Sequence, residues 1–258
     1  MSIEAIIEHA HNLSDIAFAL TATVLAILTY LGAKETFLQP VRTEVIKKQT
    51  DLLIELITLV DKEINLLKKI DYDGVIRLNL FDSFLKCGSI FNEHEKVEKY
   101  VKENTGAGIF FPDENGRVDA EIIPSFDENP KKEKEDYKRK IYDDAKSGKF
   151  RISVLNLTES YIEFEKKLVE IKESPFLPKI LSPLVEQLEK DVRVNITEHV
   201  RGVVEETVNE AFNKRGGNKM PNIAGVYNSF NRLRISHQPI ADALRVEVRK
   251  YLKIDSMP

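Results

Sequence analysis

The sequence predicts an all-α protein: a single N-terminal transmembrane helix followed by a cytoplasmic helical bundle with long antiparallel helices and a small β-hairpin insertion near 109–123. Three observations carry this expectation. Residues Ile16 to Ala33 run for eighteen positions without a charge. Beyond them, apolar residues recur at helical spacing, most regularly at Val185, Leu188, Val192, Ile196, Val200, Val203 and Val208. Only one stretch, around Asn115-Gly116, has the turn chemistry that pairs short strands.

The uncharged run sets the organisation. At a rise of about 1.5 Å per residue it covers roughly 27 Å, the short end of what a hydrocarbon core of about 30 Å requires. Thr21, Thr23 and Thr29 are tolerable there because a hydroxyl can bond back to the carbonyl one turn earlier. A cleaved signal peptide fits poorly, since Glu4, Glu8 and Asp15 precede the run and no Lys or Arg does. Lys34, Arg42, Lys47 and Lys48 follow it, so the positive-inside rule puts the amino terminus outside and the body in the cytoplasm.

Five segments follow from this: a short outer or interfacial piece (1–15), the span (16–33), membrane-proximal helices (34–104), a hairpin and charged insertion (105–149), and a helical hairpin with basic C-terminal helices (150–258). A composition of 42% hydrophobic and 31% charged residues suits a body with a real core. The one cysteine, Cys87, sits among Phe84, Leu85 and Ile90 and reads as a buried thiol in a reducing compartment.

Within the body, Pro40 opens a helix expected over 41–70, with Ile46, Leu53, Val60 and Leu67 at sevenfold spacing. Asp71-Tyr-Asp73-Gly74 supplies a turn. An apolar helix over 75–85 and a charged one over 92–103 come next. Ile109–Phe111 and Val118–Ile123 flank the Asn-Gly turn as a ribbon, and Lys131–Lys149 reads as a solvated helix or partly disordered run. Residues 150–173 and 182–213 form the two arms of the helical hairpin, the second opened by Ser182-Pro183 and closed by Gly216-Gly217. Two shorter helices, 222–233 and 239–252, end the chain.

Motifs that would carry a cofactor or a metal are missing from the sequence. Gly106-Ala-Gly108 has neither the third glycine nor the preceding strand of a phosphate cradle, and His94-Glu95-Lys-Val-Glu98 lacks the second histidine of a zincin helix. A calcium loop aligned on Gly116 would need an acid where Phe111 stands. No cofactor and no metal site is therefore expected.

Charge is unevenly placed. Residues 214–258 hold nine basic residues against three acidic ones, while the whole chain carries −4. The basic segment 214–253 points to an acidic protein surface, anionic lipid or RNA as partner, beside membrane lipid and self-association.

One local string carries candidate chemistry. Arg232-Leu-Arg-Ile-Ser-His237 resembles the Arg-x(4 to 6)-His signature of HEPN ribonucleases, all-α bundles in which Arg and His meet at a dimer cleft; Arg193 and His199 match it as well. The resemblance implies that His237 handles protons during attack of a ribose 2′-hydroxyl and that Arg232 binds the phosphate. The Asn that commonly follows the family's Arg is absent here.

The expected function is that of a single-pass, membrane-anchored cytoplasmic helical protein acting by binding, as scaffold, sensor or regulator, and as an oligomer. The alternatives are a membrane-tethered HEPN-like ribonuclease using Arg232 and His237, and a membrane-perturbing effector.

Overall fold

The computed structural model describes the backbone of residues 3–112, 130–215 and 220–252; the side chains of 3–17, 19, 35–38, 130–134 and 215 are outside the description. The chain divides into two compact units, residues 1–52 and 53–258.

The first unit is a single helix. Helix α1 (Ile3–Leu59) runs for 57 residues, roughly 85 Å at 1.5 Å per residue, and its last turns belong to the second unit. It passes through Gly32 and Pro40, where an interruption was expected. Proline lacks only one donor, and the carbonyl it leaves free lies on a helix open to its surroundings. Among the described residues no helix is long and apolar enough to cross a membrane. The expected span Ile16–Ala33 includes Ile16, Ala17 and Ala19, whose side chains are not described, and the continuous described stretch from Leu20 to Lys34 is fifteen residues.

The second unit is mostly helical. It contains α2 (Glu63–Ile70), α3 (Tyr72–Lys86), α4 (His94–Asn104), β1 (Ala107–Phe110), α5 (Pro130–Lys146), β2 (Val154–Leu157), α6 (Glu159–Glu173), α7 (Ser182–Val194), a π-helical segment (Asn195–Val200), α8 (Arg201–Arg215), α9 (Ile223–Leu233) and α10 (Gln238–Leu252). Helix α3 is the hub. It packs on α4, α8, α9, β2 and the π segment, and it buries Val75, Ile76, Leu78, Leu80 and Phe84.

The helix expected over 41–70 is two helices. α1 ends at Leu59, and α2 starts after Lys62 in an extended conformation. Leu53, Leu56, Leu59 and Val60 are buried, whereas Ile46 and Ile54 are exposed, so the sevenfold series overstates the buried face. Asp71 closes α2 in the left-handed region (φ 58°) and caps α3, its carboxylate accepting from the Gly74 N–H at 3.2 Å. Any Cβ at residue 74 would lie 2.1 Å from that carboxylate, so the Asp-x-x-Gly string is a capping device.

The ribbon is built differently from expectation. β1 pairs antiparallel with β2, Ala107 opposite Leu157 and Phe110 opposite Val154. Residues 118–123, its expected partner, lie outside the described residues. β2 and Thr158 replace the first turns of the helix expected from residue 150, because Leu155 and Leu157 alternate with half-buried Val154 and Asn156 in a strand's period of two. Thr158 then caps α6 by accepting from Tyr161 N–H.

The long second arm is present as α7, the π segment and α8. Leu181 is its N-cap, one residue before the expected Ser182, with Pro183 in the first turn. α6 packs on α7, α2 on α6, and α10 on α7. Gly216-Gly217, the expected stop, lies outside the described residues. The charged run after Pro130 is α5, anchored by fully buried Ala145.

Candidate functional site

Three asparagines organise the interior. Each faces one residue of a distant segment and exchanges both amide hydrogen bonds with its backbone, as a neighbouring strand would. Asn79 Oδ1 accepts from Asn156 N–H (2.8 Å) while its Nδ2 donates to Asn156 C=O (2.7 Å). Asn209 does the same to Phe150 (2.9 and 3.2 Å), and Asn195 to Ile235 (2.7 and 3.0 Å). Non-helical segments are thereby fixed against helices without unsatisfied backbone groups.

The third clamp governs the Arg–His string. Because Asn195 Oδ1 accepts from Ile235, its Nδ2 is a donor, and it also lies 3.2 Å from His237 Nε2 and 3.3 Å from Tyr72 Oη. Tyr72 Oη is 2.8 Å from the same Nε2. Nε2 thus faces donors only, accepting from the nearer Tyr72 Oη while the remaining Asn195 Nδ2 proton is shared between the two, and the imidazole proton belongs on Nδ1, which is buried without a partner among the described residues. Burial raises the Tyr72 pKa strongly and, with the Arg234 cation, lowers that of His237 to about 4 against a smaller pull from Glu63. The triad is neutral. Asn195 also opens the π segment, whose wider turn interrupts the ladder of α7 and α8 at that point.

Arg232 and His237 are not brought together. His237 is completely buried at the entrance to α10, whereas Arg232 is exposed near the end of α9. The arginine next to the imidazole is Arg234, paired to Glu63 at 3.1 Å. In the second Arg–His pair, Arg193 is exposed and His199 half-buried in the π segment. Of the basic residues in 214–253, Lys214, Arg234, Arg245 and Lys250 are ion-paired to Glu210, Glu63, Asp242 and Glu247. Their charge is partly spent inside the fold.

The second unit also holds an open cleft of about 390 Å³. Its floor is the turn Lys149–Val154. Gly148 (φ 74°) ends α5, Asn209 clamps Phe150, Glu205 accepts from Ile152 N–H at 2.8 Å, and Phe111 N–H bonds Ser153 C=O. Asp82 and Lys86 of α3 and Tyr137, Lys140 and Asp144 of α5 form the sides, and Arg201 closes one end. Buried Glu205 accepts from Arg201 Nε (2.8 Å) and Arg151 Nη1 (3.3 Å), and the Arg201 guanidinium lies 4.0 Å from the centre of the Phe111 ring. No local pattern marks this cluster, whose cations come from four separate segments.

Among the described residues no group of three His, Cys, Asp or Glu side chains is placed to hold a metal ion. No family model matches the chain, and neither the curated proteins nor the solved structures contain a match to it.

Proposed function

We propose that the protein is anchored in a membrane by residues 16–33 of α1, amino terminus outside and body in the cytoplasm, and that the body works by binding, as a scaffold, sensor or regulator, in an oligomer. One observation carries the reading. Phe18, Leu20, Val24, Leu25, Ile27, Leu28, Tyr30 and Leu31 are all at least half exposed, and at about 100° per residue they cover roughly two thirds of the circumference of α1, the remaining arc being Ala22, Ala26 and Thr29. An apolar surface with no polar stripe calls for an apolar surrounding. Thr29 fits it, its hydroxyl donating to Leu25 C=O at 2.7 Å. Self-association is supported by Val41, Val45 and Ile46, three apolar side chains exposed on the following turns.

The ribonuclease reading draws less support. A histidine that moves protons on RNA has to touch it, and His237 has no exposed surface.

The experiment is side-specific labelling in the Cys87→Ser background. With a membrane-impermeant maleimide on intact cells, Ser2→Cys is expected to react at once and Lys166→Cys only after permeabilisation. Reaction of Lys166→Cys on intact cells, or of Ser2→Cys only after permeabilisation, would contradict the proposed orientation.

A further inference from the structure

We infer that the cleft between α3, α5 and the start of α8 binds a phosphorylated group carrying two or more negative charges. This deepens the reading that the body works by binding and is independent of whether α1 spans a bilayer.

Charge is the first argument. Five cations, Lys86, Lys140, Lys149, Arg151 and Arg201, line the cleft, against Asp82 and Asp144 on its sides and Glu205 beneath. Asp82 is already engaged by Lys86 (2.9 Å) and by the Asn156 amide (3.0 Å), and Glu205 by two arginines and a backbone N–H. Asp144 is then the one of these three carboxylates left without a hydrogen bond or ion pair among the described residues, facing five cations. Lys140 and Lys149 are exposed and have no ion pair among the described residues.

Preorganisation is the second. Arg201 is held on its face by Phe111 and through Nε by Glu205, so its fork is fixed before any ligand arrives while its Nη donors make no hydrogen bond among the described residues. Holding a guanidinium in place removes the ordering cost that normally weakens an exposed cation's grip on an anion. Arg151 shares the same carboxylate, which places two guanidinium groups around one point. Planar forks of this kind match the tetrahedral oxygens of phosphate, and the two free lysines add point charges for a second anionic group.

Size is the third. A volume of about 390 Å³ falls within the range of small-molecule sites, roughly 300–1,000 Å³. The same chemistry could come from a soluble phosphorylated metabolite or from a lipid headgroup.

Two titrations of the full chain separate these sources. In zwitterionic lipid nanodiscs, calorimetry with inorganic pyrophosphate reads the soluble ligand. In nanodiscs containing a bisphosphorylated inositol lipid, protection of Lys140 and Lys149 from acetylation reads the headgroup. The inference expects saturable binding in one arm, weakened about tenfold or more by Lys140→Gln with Lys149→Gln and by Arg201→Gln, and unchanged by Lys166→Gln with Lys167→Gln on α6. The lysine pair is exposed, so it keeps the test sound if Arg201→Gln, which frees buried Glu205, fails to fold. Absence of binding in both arms would overturn the inference, as would binding that the Lys140/Lys149 variant leaves intact. Membrane fractionation leaves these outcomes untouched, so failure of the anchor and failure of the cleft are distinguishable.

Discussion

The phenol of Tyr72 and the imidazole of His237 lie 165 residues apart in the chain and 2.8 Å apart in the fold, with the Asn195 amide as their common neighbour. Tyr72 opens α3, Asn195 opens the π segment, and His237 precedes α10, so three elements meet at one neutral cluster. Removing the hydroxyl in Tyr72→Phe leaves Nε2 with a single donor. We expect a loss of about 1–2 kcal/mol, read as a lower midpoint in urea unfolding with an unchanged slope.

Stability should also depend on pH through His237. Its folded pKa, about 4, lies below the ordinary 6.5 because burial and Arg234 disfavour the cation. As pH falls below 6.5 the unfolded chain takes up the proton and the folded chain does not, so stability is lost progressively down to about pH 4 and no further below it. Thermal melts between pH 7.5 and pH 4 are expected to show this decline. His237→Gln, which has nothing to titrate, should show a shallower one.

Asn79 is fully enclosed and donates to Val75 C=O and Asn156 C=O. Asn79→Asp removes both donors and brings a carboxylate against two carbonyl oxygens. A destabilisation of about 3 kcal/mol or more is expected at neutral pH, smaller where the acid is protonated. Chemical denaturation at pH 7 and pH 4.5 checks both parts.

Cys87 is buried, and burial pushes its thiol up to about 12. The thiolate is the reactive form, so an aromatic disulfide reagent at pH 8 should leave the native thiol unmodified and titrate one thiol per chain in denaturant. Rapid reaction of the folded protein would show that this part of α3 opens.

How much of this was legible in the sequence depended on the range of the interaction. Helices α9 and α10 lie within one residue of the expected 222–233 and 239–252, because helical periodicity is local. β2 was hidden because Ile152, Leu155 and Leu157 also fit a helical series; the Thr158 cap was the sign that the helix begins later. The break after Val60 left no Gly or Pro as a mark. Asn79, Asn195 and Asn209 carry no local sign of their clamping role, and their partners at distances of 40 to 77 residues are set by tertiary packing alone. The cleft was invisible for the same reason. Arg232 and His237 were a local match in spacing, yet the end of α9 turns one to the surface and the other into the core.

The central claim is that lipid surrounds the apolar turns of α1, and extraction of membranes at alkaline pH tests it most directly. Membranes carrying the full chain are washed in carbonate, sedimented and assayed for the protein in pellet and supernatant. Retention in the pellet, with release to the supernatant when Leu25 and Leu28 are both changed to Arg, is the expected result. Recovery of the unmodified chain in the supernatant would contradict the account.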